Sequence, residues 1–142
     1  MSSLAQIEKV MLLRSVDLFA HCSAEEVIRI AAIARERQFE RGKEIYRAKD
    51  VPDALYCVVE GSVSLRSSNG NGKQLGTKEM FGVRSILRGR LRLLDAIASE
   101  DTVALAIEAD DFFDLLSNNI EIVKALFREV MSESIEEAGG PS

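Results

Sequence analysis

Tryptophan is absent from this sequence, and proline, cysteine and histidine are scarce: two prolines, two cysteines and a single histidine in 142 residues. One histidine and two distant cysteines, His21, Cys22 and Cys57, fall short of the roughly four ligands a structural zinc site needs. Two cysteines in apolar surroundings read as free thiols of a reducing compartment, not as a disulfide framework. No apolar run approaches the roughly 18 residues of a membrane span. The opening MSSLAQIEKVMLL carries Glu8 and Lys9 inside its apolar stretch. It lacks the basic start and small-residue cleavage site of a secretory leader, so a cytoplasmic location without direct membrane insertion is expected. Positive charge is also in deficit: 18 Lys and Arg against 23 Asp and Glu give a net charge of −5. That balance argues against non-specific binding to DNA or anionic lipid, which needs net positive surface. No nucleophile stands at a recognised spacing from a base, and there is no P-loop, so the chain is expected not to be an enzyme.

What is present is the composition of an ordinary globule, 46% hydrophobic and 29% charged. The length suits one domain, residues 1–142. Leu4, Ile7, Val10, Met11 and Arg14 recur at helical spacing. Ser23-Ala-Glu-Glu26 is a capping box opening a helix over about 24–36, its broad face built from Val27, Ile28, Ile30, Ala31 and Ala34. The pattern then changes. From Arg37 to Ile107 short apolar runs alternate with turn signals: Leu55–Val59, the Glu60-Gly61 turn, Val63 and Leu65, the Ser67–Lys73 hairpin tip, then 95–98 and 102–107. Residues 83–88 read as a short helical turn inside this β region. Asp110 or Asp111 is expected to cap a helix carrying Phe112, Phe113, Leu115 and Leu116, broken at Ser117-Asn118-Asn119. A last helix over about 120–136 carries Ile122, Val123, Leu126, Phe127, Val130 and Met131, and Ala138–Ser142 reads as a frayed tail. The fold class is therefore α+β: helices in 3–36, an antiparallel β-roll or jelly-roll barrel of about eight short strands in 37–108, and helices in 110–137.

One stretch carries chemistry. Arg84, Arg88, Arg90 and Arg92 fall within nine residues that hold no acid. Gly82 precedes the short helix, whose free N–H groups suit an anion, and arginine offers a planar fork to phosphate. Charge alone leaves three readings open: a phosphate pocket, a solvated loop, or a surface for an acidic partner.

In its order and spacing the sequence resembles the cyclic-nucleotide-binding domains of catabolite-activator-type transcription factors, cAMP-dependent kinase regulatory subunits and cyclic-nucleotide-gated channels. The similarity runs from about Lys9 to Met131. It is carried by Arg41-Gly42-Lys43-Glu44-Ile45, by Asp53–Leu65 with its Glu60-Gly61, and by Ile107–Phe112. The family cassette that holds the cyclic phosphate reads Phe-Gly-Glu, a short helix, then Pro-Arg-Ala-Ala-Thr. Here Phe81-Gly82 matches, Val83 replaces the glutamate, Leu91 replaces the proline and Arg92 fills the slot of the phosphate-binding arginine. Ser85 falls where a family backbone N–H meets the phosphate, Arg84 stands at a usually apolar position, and Lys78 at a turn position that is usually glycine. The resemblance thus implies a ligand site over Gly82, Val83, Arg84, Ser85, Arg92 and Leu93, with cAMP or cGMP as the ligand and no other cofactor.

Val83 bears most on affinity, because the family glutamate accepts from the ribose 2′-hydroxyl. Losing a charged hydrogen bond of about 1.5–3 kcal/mol weakens binding about ten- to a hundredfold. Asp95 adds negative charge near the expected phosphate. For Arg92, a phosphate contact, an ion pair with Asp95 or another nearby acid, and a plain surface position all stand open. For Ser85 helix capping stands beside a ligand role, and for Gly82 the tight turn is reason enough. Two functions follow: a non-enzymatic sensor that binds cyclic nucleotide weakly or takes another phosphate-bearing ligand, or a degenerate module acting through protein interaction or dimerisation. In the second, Ile122, Leu126, Phe127 and Val130 form a partner surface unless they are core. No helix-turn-helix is evident, so no DNA reading by this chain is expected. Glu8–Phe19 looks like the entry segment of modules attached to larger, often membrane-bound proteins.

Overall fold

The computed structural model describes residues 4–132. Helix α1 (Gln6–Arg14), a 3-10 turn at Asp17–Phe19 and α2 (Ala24–Ile33) lead into β1 (Ala34–Phe39), β2 (Glu44–Tyr46), β3 (Ala54–Glu60), β4 (Val63–Arg66), β5 (Gly72–Leu75) and β6 (Met80–Phe81). Short helix α3 (Val83–Arg88) interrupts the strands before β7 (Asp95–Ala98) and β8 (Thr102–Glu108); α4 (Ala109–Asn118) and α5 (Ile120–Ser132) follow. The strands form two antiparallel four-stranded sheets, ordered β1-β8-β3-β6 and β2-β7-β4-β5. The expected eight-stranded roll is thus present as two facing sheets and not as a closed barrel.

Strands β3 and β8 explain why the sequence there reads as continuous apolar runs: both of their faces are buried. Leu55, Cys57, Leu105 and Ile107 face the helices, joining Leu13, Phe19, Val27, Ile30, Phe112 and Ile122 in one core. The alternate residues Ala54, Tyr56, Val58, Ala104 and Ala106 face the second sheet, where Val63, Leu65, Leu75 and Ala96 close a second core. Alanines at the facing positions leave the volume that the rings of Tyr46, Tyr56 and Phe81 occupy.

The capping box forms as expected. Ser23 Oγ accepts from the Glu26 N–H (3.2 Å) and the Glu26 carboxylate accepts from the Ser23 N–H (2.7 Å). At Glu60-Gly61 the turn requires glycine twice over: φ is +95°, and a Cβ would meet the Asp101 carbonyl at 2.5 Å.

Three element-level expectations are corrected and one open alternative, on α5, is decided. Helix α2 stops at Ile33 and not at 36: Ala34 through Phe39 pair with Ile107 through Thr102, and no glycine or proline marks the change. In α1 the buried stripe is Val10 and Leu13, while Ile7 and Met11 are exposed. The helix offers two apolar stripes, and packing on α2 selects one. Helix α4 begins at Ala109 with Glu108 at the N-cap, and neither Asp110 nor Asp111 caps it. Both lie in its first turn, where the helix dipole favours acids. On α5, Ile122 and Leu126 belong to the core and cannot form a partner surface, whereas Phe127 is exposed. The expected helix end at 133–136, the Ala138–Ser142 tail and the side chain of Val130 lie outside the described residues.

Candidate ligand site

The cassette begins where β6 ends. Gly82 takes φ +87°, the left-handed conformation that turns the chain from β6 into α3. A Cβ there would approach the Arg92 guanidinium to 3.0 Å, so glycine is needed for clearance as well as for backbone. After α3, Gly89 ends the helix at φ +65°, its N–H bonding the Ile86 carbonyl, and the Arg90 N–H bonds the Ser85 carbonyl. The chain then runs beside the loop between β2 and β3. Arg92 N–H donates to the Asp50 carbonyl (2.9 Å) and the Arg92 carbonyl accepts from Lys49 N–H (2.7 Å).

These anchors turn the Arg92 side chain inward, and it is 1% exposed. Its Nη1 donates to the Gly82 carbonyl (2.6 Å) and its Nη2 to the Ala54 carbonyl. The Tyr46 ring lies against the guanidinium, 3.9 Å from its carbon to the ring centroid, a cation–π contact in a desolvated setting. The neighbouring carboxylate is Asp53, at 3.8 Å and 70% exposed. Arg92 Nε has no hydrogen-bond partner, and neither has the buried hydroxyl of Ser85. Behind Tyr46 the rings pack on one another: Tyr56 stacks on Phe81 at 5.1 Å, with Tyr46 at 6.3 Å from Tyr56 and 6.1 Å from Phe81. Burial, and after it the Asp53 charge, pushes the Tyr56 phenol upward, opposed by Arg37 and Arg92.

A guanidinium enclosed this far is expensive to bury, and two carbonyls with one distant, solvated carboxylate compensate it only in part. An anion reaching either of these unpaired groups would supply the acceptor it lacks. The residues expected at the site separate accordingly. Gly82 and Arg92 meet directly, and Ser85 is buried one turn into α3. Val83 packs against the helix-side core, half-buried, and Arg84 is half-buried. Leu93 points to solvent, 64% exposed. The Asp95 carboxylate accepts from the Ala48 N–H (2.8 Å), a structural tie between β7 and the β2–β3 loop. Sequence reasoning did not single out Tyr46, Asp53 or Ala54 as neighbours of Arg92, because no local pattern links them to a residue about forty positions away.

Among the described residues there is no cluster of His, Cys, Asp and Glu able to hold a metal, and no helix long and apolar enough to cross a membrane. Residues 36–119 match the family model described as cyclic nucleotide-binding domain. The Cyclic AMP receptor protein of Thermus thermophilus is 34% identical over 104 residues, covering 70% of this chain and 48% of that protein. A cyclic nucleotide-gated potassium channel of Rhizobium etli is 28% identical over 130 residues, covering 92% of this chain and 35% of the channel. The chain therefore spans half or less of the length of these curated relatives. The crystal structure of the N-terminal domain of a transcriptional regulator from Streptomyces coelicolor A3(2) superposes with a TM-score of 0.76 at 29% identity, over 92% of this chain and 97% of that one.

Proposed function

Because this chain belongs to the cyclic nucleotide-binding domain family, we propose that it is a non-enzymatic regulatory module that answers to a phosphate-bearing ligand, cyclic nucleotide being the first class to consider. The observation that carries the reading is the enclosed Arg92, with its own Nε and the Ser85 hydroxyl both lacking partners. A cyclic phosphate would accept from both, in the slot the family uses for it. Binding is weak for two reasons. Val83 offers the ribose nothing, and Arg92 must first leave the carbonyls of Gly82 and Ala54, so only a fraction of molecules is competent at any moment. The output is a shift between two arrangements of the cassette and the helices beyond it. It is delivered to a larger cytoplasmic or membrane-attached protein of which this module is a part.

The test is calorimetric and thermal titration with cAMP, cGMP and inorganic phosphate. A ligand at about a hundred times its Kd stabilises by about 2.7 kcal/mol, a readily measured rise in Tm. That rise is expected with millimolar cyclic nucleotide and is expected to vanish in Arg92→Ala. No response of the wild-type chain to any of the three sinks the reading. A second reading then takes its place, supported by the rings of Tyr46, Tyr56 and Phe81 that fill the inter-sheet space beside Arg92. In it the guanidinium is a permanent internal brace, and the module works through dimerisation or attachment to a partner.

A further inference from the structure

The hairpin between β4 and β5 takes no part in the cassette, and its tip carries the chain's two Asn-Gly pairs in succession, Asn69-Gly70 and Asn71-Gly72. Asparagine is a thermally labile side chain. Its amide carbon can be attacked by the backbone nitrogen of the next residue, and glycine there leaves that nitrogen unhindered because it has no Cβ. All four residues are exposed. By sequence the two pairs are equivalent, and the fold makes them different. Asn69 is held. Its Oδ1 accepts from the Asn71 N–H (2.9 Å) and from the Ser67 hydroxyl, an Asx turn that pins the side chain. The nitrogen that would attack it is also engaged: the Gly70 N–H donates to the Ser67 carbonyl (3.0 Å), in a residue at φ +88°. Freeing it undoes the turn.

Asn71 is placed otherwise. Its carbonyl accepts from the Ser67 N–H (2.8 Å), so the next pair along the ladder, Arg66 and Gly72, is the kind without mutual hydrogen bonds. Strand β5 is the outer strand of its sheet. The Gly72 N–H therefore points away from β4 toward the open edge, next to the exposed Asn71 amide. No bulkier residue can shield it, because a Cβ on Gly72 would run into the Leu65 carbonyl. The ladder itself demands the glycine that leaves Asn71 open. We propose that Asn71 is a self-modification site, at which the folded module converts asparagine to aspartyl and isoaspartyl forms with water as the co-reactant. The Gly72 nitrogen gives its proton to solvent base and bonds to Asn71 Cγ. The Cγ–Nδ2 bond breaks, and Nδ2 takes up a proton from water and leaves as ammonia. Water then opens the five-membered imide: cleavage of the new bond leaves aspartate, and cleavage of the old peptide bond leaves isoaspartate. In the second product the former Asn71 carbonyl becomes a carboxylate and the main chain gains one carbon, which disturbs the bond from Ser67 and the register of Gly72 on Arg66. Either product puts a negative charge beside Lys73. The reading is independent of whether Arg92 takes a phosphate.

The test incubates the intact chain in mildly alkaline buffer and takes samples over time. The tryptic peptide 67–73 is read by fragmentation mass spectrometry, which assigns the exchange of –NH2 for –OH to position 69 or 71. A zero-time sample corrects for conversion during digestion. Isoaspartate is read separately, by methyl transfer from S-adenosylmethionine with an isoaspartyl methyltransferase. The expected result is conversion at Asn71 well ahead of Asn69 in the folded chain, and conversion of both at similar rates in guanidinium chloride. Asn71→Gln is expected to abolish most of the methyl label, and Asn69→Gln to leave it in place. Both positions are exposed, and an unchanged melting profile checks that each variant is folded. Conversion at Asn69 ahead of Asn71, equal rates in the folded chain, or no conversion at Asn71 overturns the proposal.

Discussion

Arg92 and Lys78 are the two residues whose substitution separates ligand chemistry from plain stability. Truncating Arg92 to alanine withdraws both donors from the Gly82 and Ala54 carbonyls and the cation from the Tyr46 ring. The expected cost is about 2–4 kcal/mol in denaturant unfolding, since buried acceptors lose their partners. Lys78 holds φ +74° with its N–H on the Val58 carbonyl, where a side chain strains the backbone. Lys78→Gly is expected to stabilise by about 0.5–1 kcal/mol, seen as a higher urea midpoint with unchanged slope. Cys57 tests the core instead. Burial pushes its thiol up to about 12 from 9.0. Folded, it keeps its proton where the unfolded chain has lost it, so this contribution to stability is whole below pH 9 and falls away as pH rises toward 12. Cys22, half-buried and raised to about 11 by burial and then by Glu26, acts in the same direction. A thiol reagent at pH 8 is expected to label both slowly in the native protein and rapidly in urea.

At the level of elements, the helices differ in how much of their boundary is local chemistry. The start of α2 is written in the reciprocal bonds of Ser23 and Glu26. Ser23→Ala is expected to cost about 1 kcal/mol in chemical denaturation, with Ser23→Asp restoring most of it. Its end is not so written, because Ala34 through Phe39 are held by the ladder to β8 and not by any stop signal. The cassette is similar. Its helix α3 was expected over 83–88, with Gly82 before it, yet the direction in which its arginines point was not legible. Arg92 turns in because Lys49 and Asp50 clasp its backbone, while Arg88 and Arg90, four and two positions earlier, stay in solvent.

For the molecule as a whole, the two cores on either side of the β3–β8 sheet make the cassette a lid between them: Ile86 belongs to the helix-side core and Phe81 to the core between the sheets. Arg92 touches the second of these through Tyr46 and Ala54, and through the Gly82 carbonyl it touches the turn that joins Phe81 to α3. Helix α5 reports on this, since Ile122 and Leu126 share the helix-side core with Ile86. Cyclic nucleotide is expected to alter hydrogen-exchange protection in α3 and in 120–132 together, and a change confined to α3 would show that the cassette moves without the helices. Coupling of that kind needs a packed path, which this shared core supplies, and a second arrangement of it, which the exchange experiment would reveal.

Residue type and spacing alone determined the α+β class, the alternation of short strands and the Ser23 capping box, and the resemblance to the family placed Phe81-Gly82 and Arg92 in one cassette. Those signals are local: turn residues, periodicity and caps act over a few positions and need no partner to be recognised. Tertiary structure alone decided which stripe of α1 is buried, where α2 yields to β1, that Asp95 serves Ala48, and that Arg92 lies sealed beneath Tyr46 beside the carbonyls of Ala54 and Gly82. Each of those outcomes depends on groups brought together from distant positions, and a contact of that kind exists only once the two sheets have closed on each other.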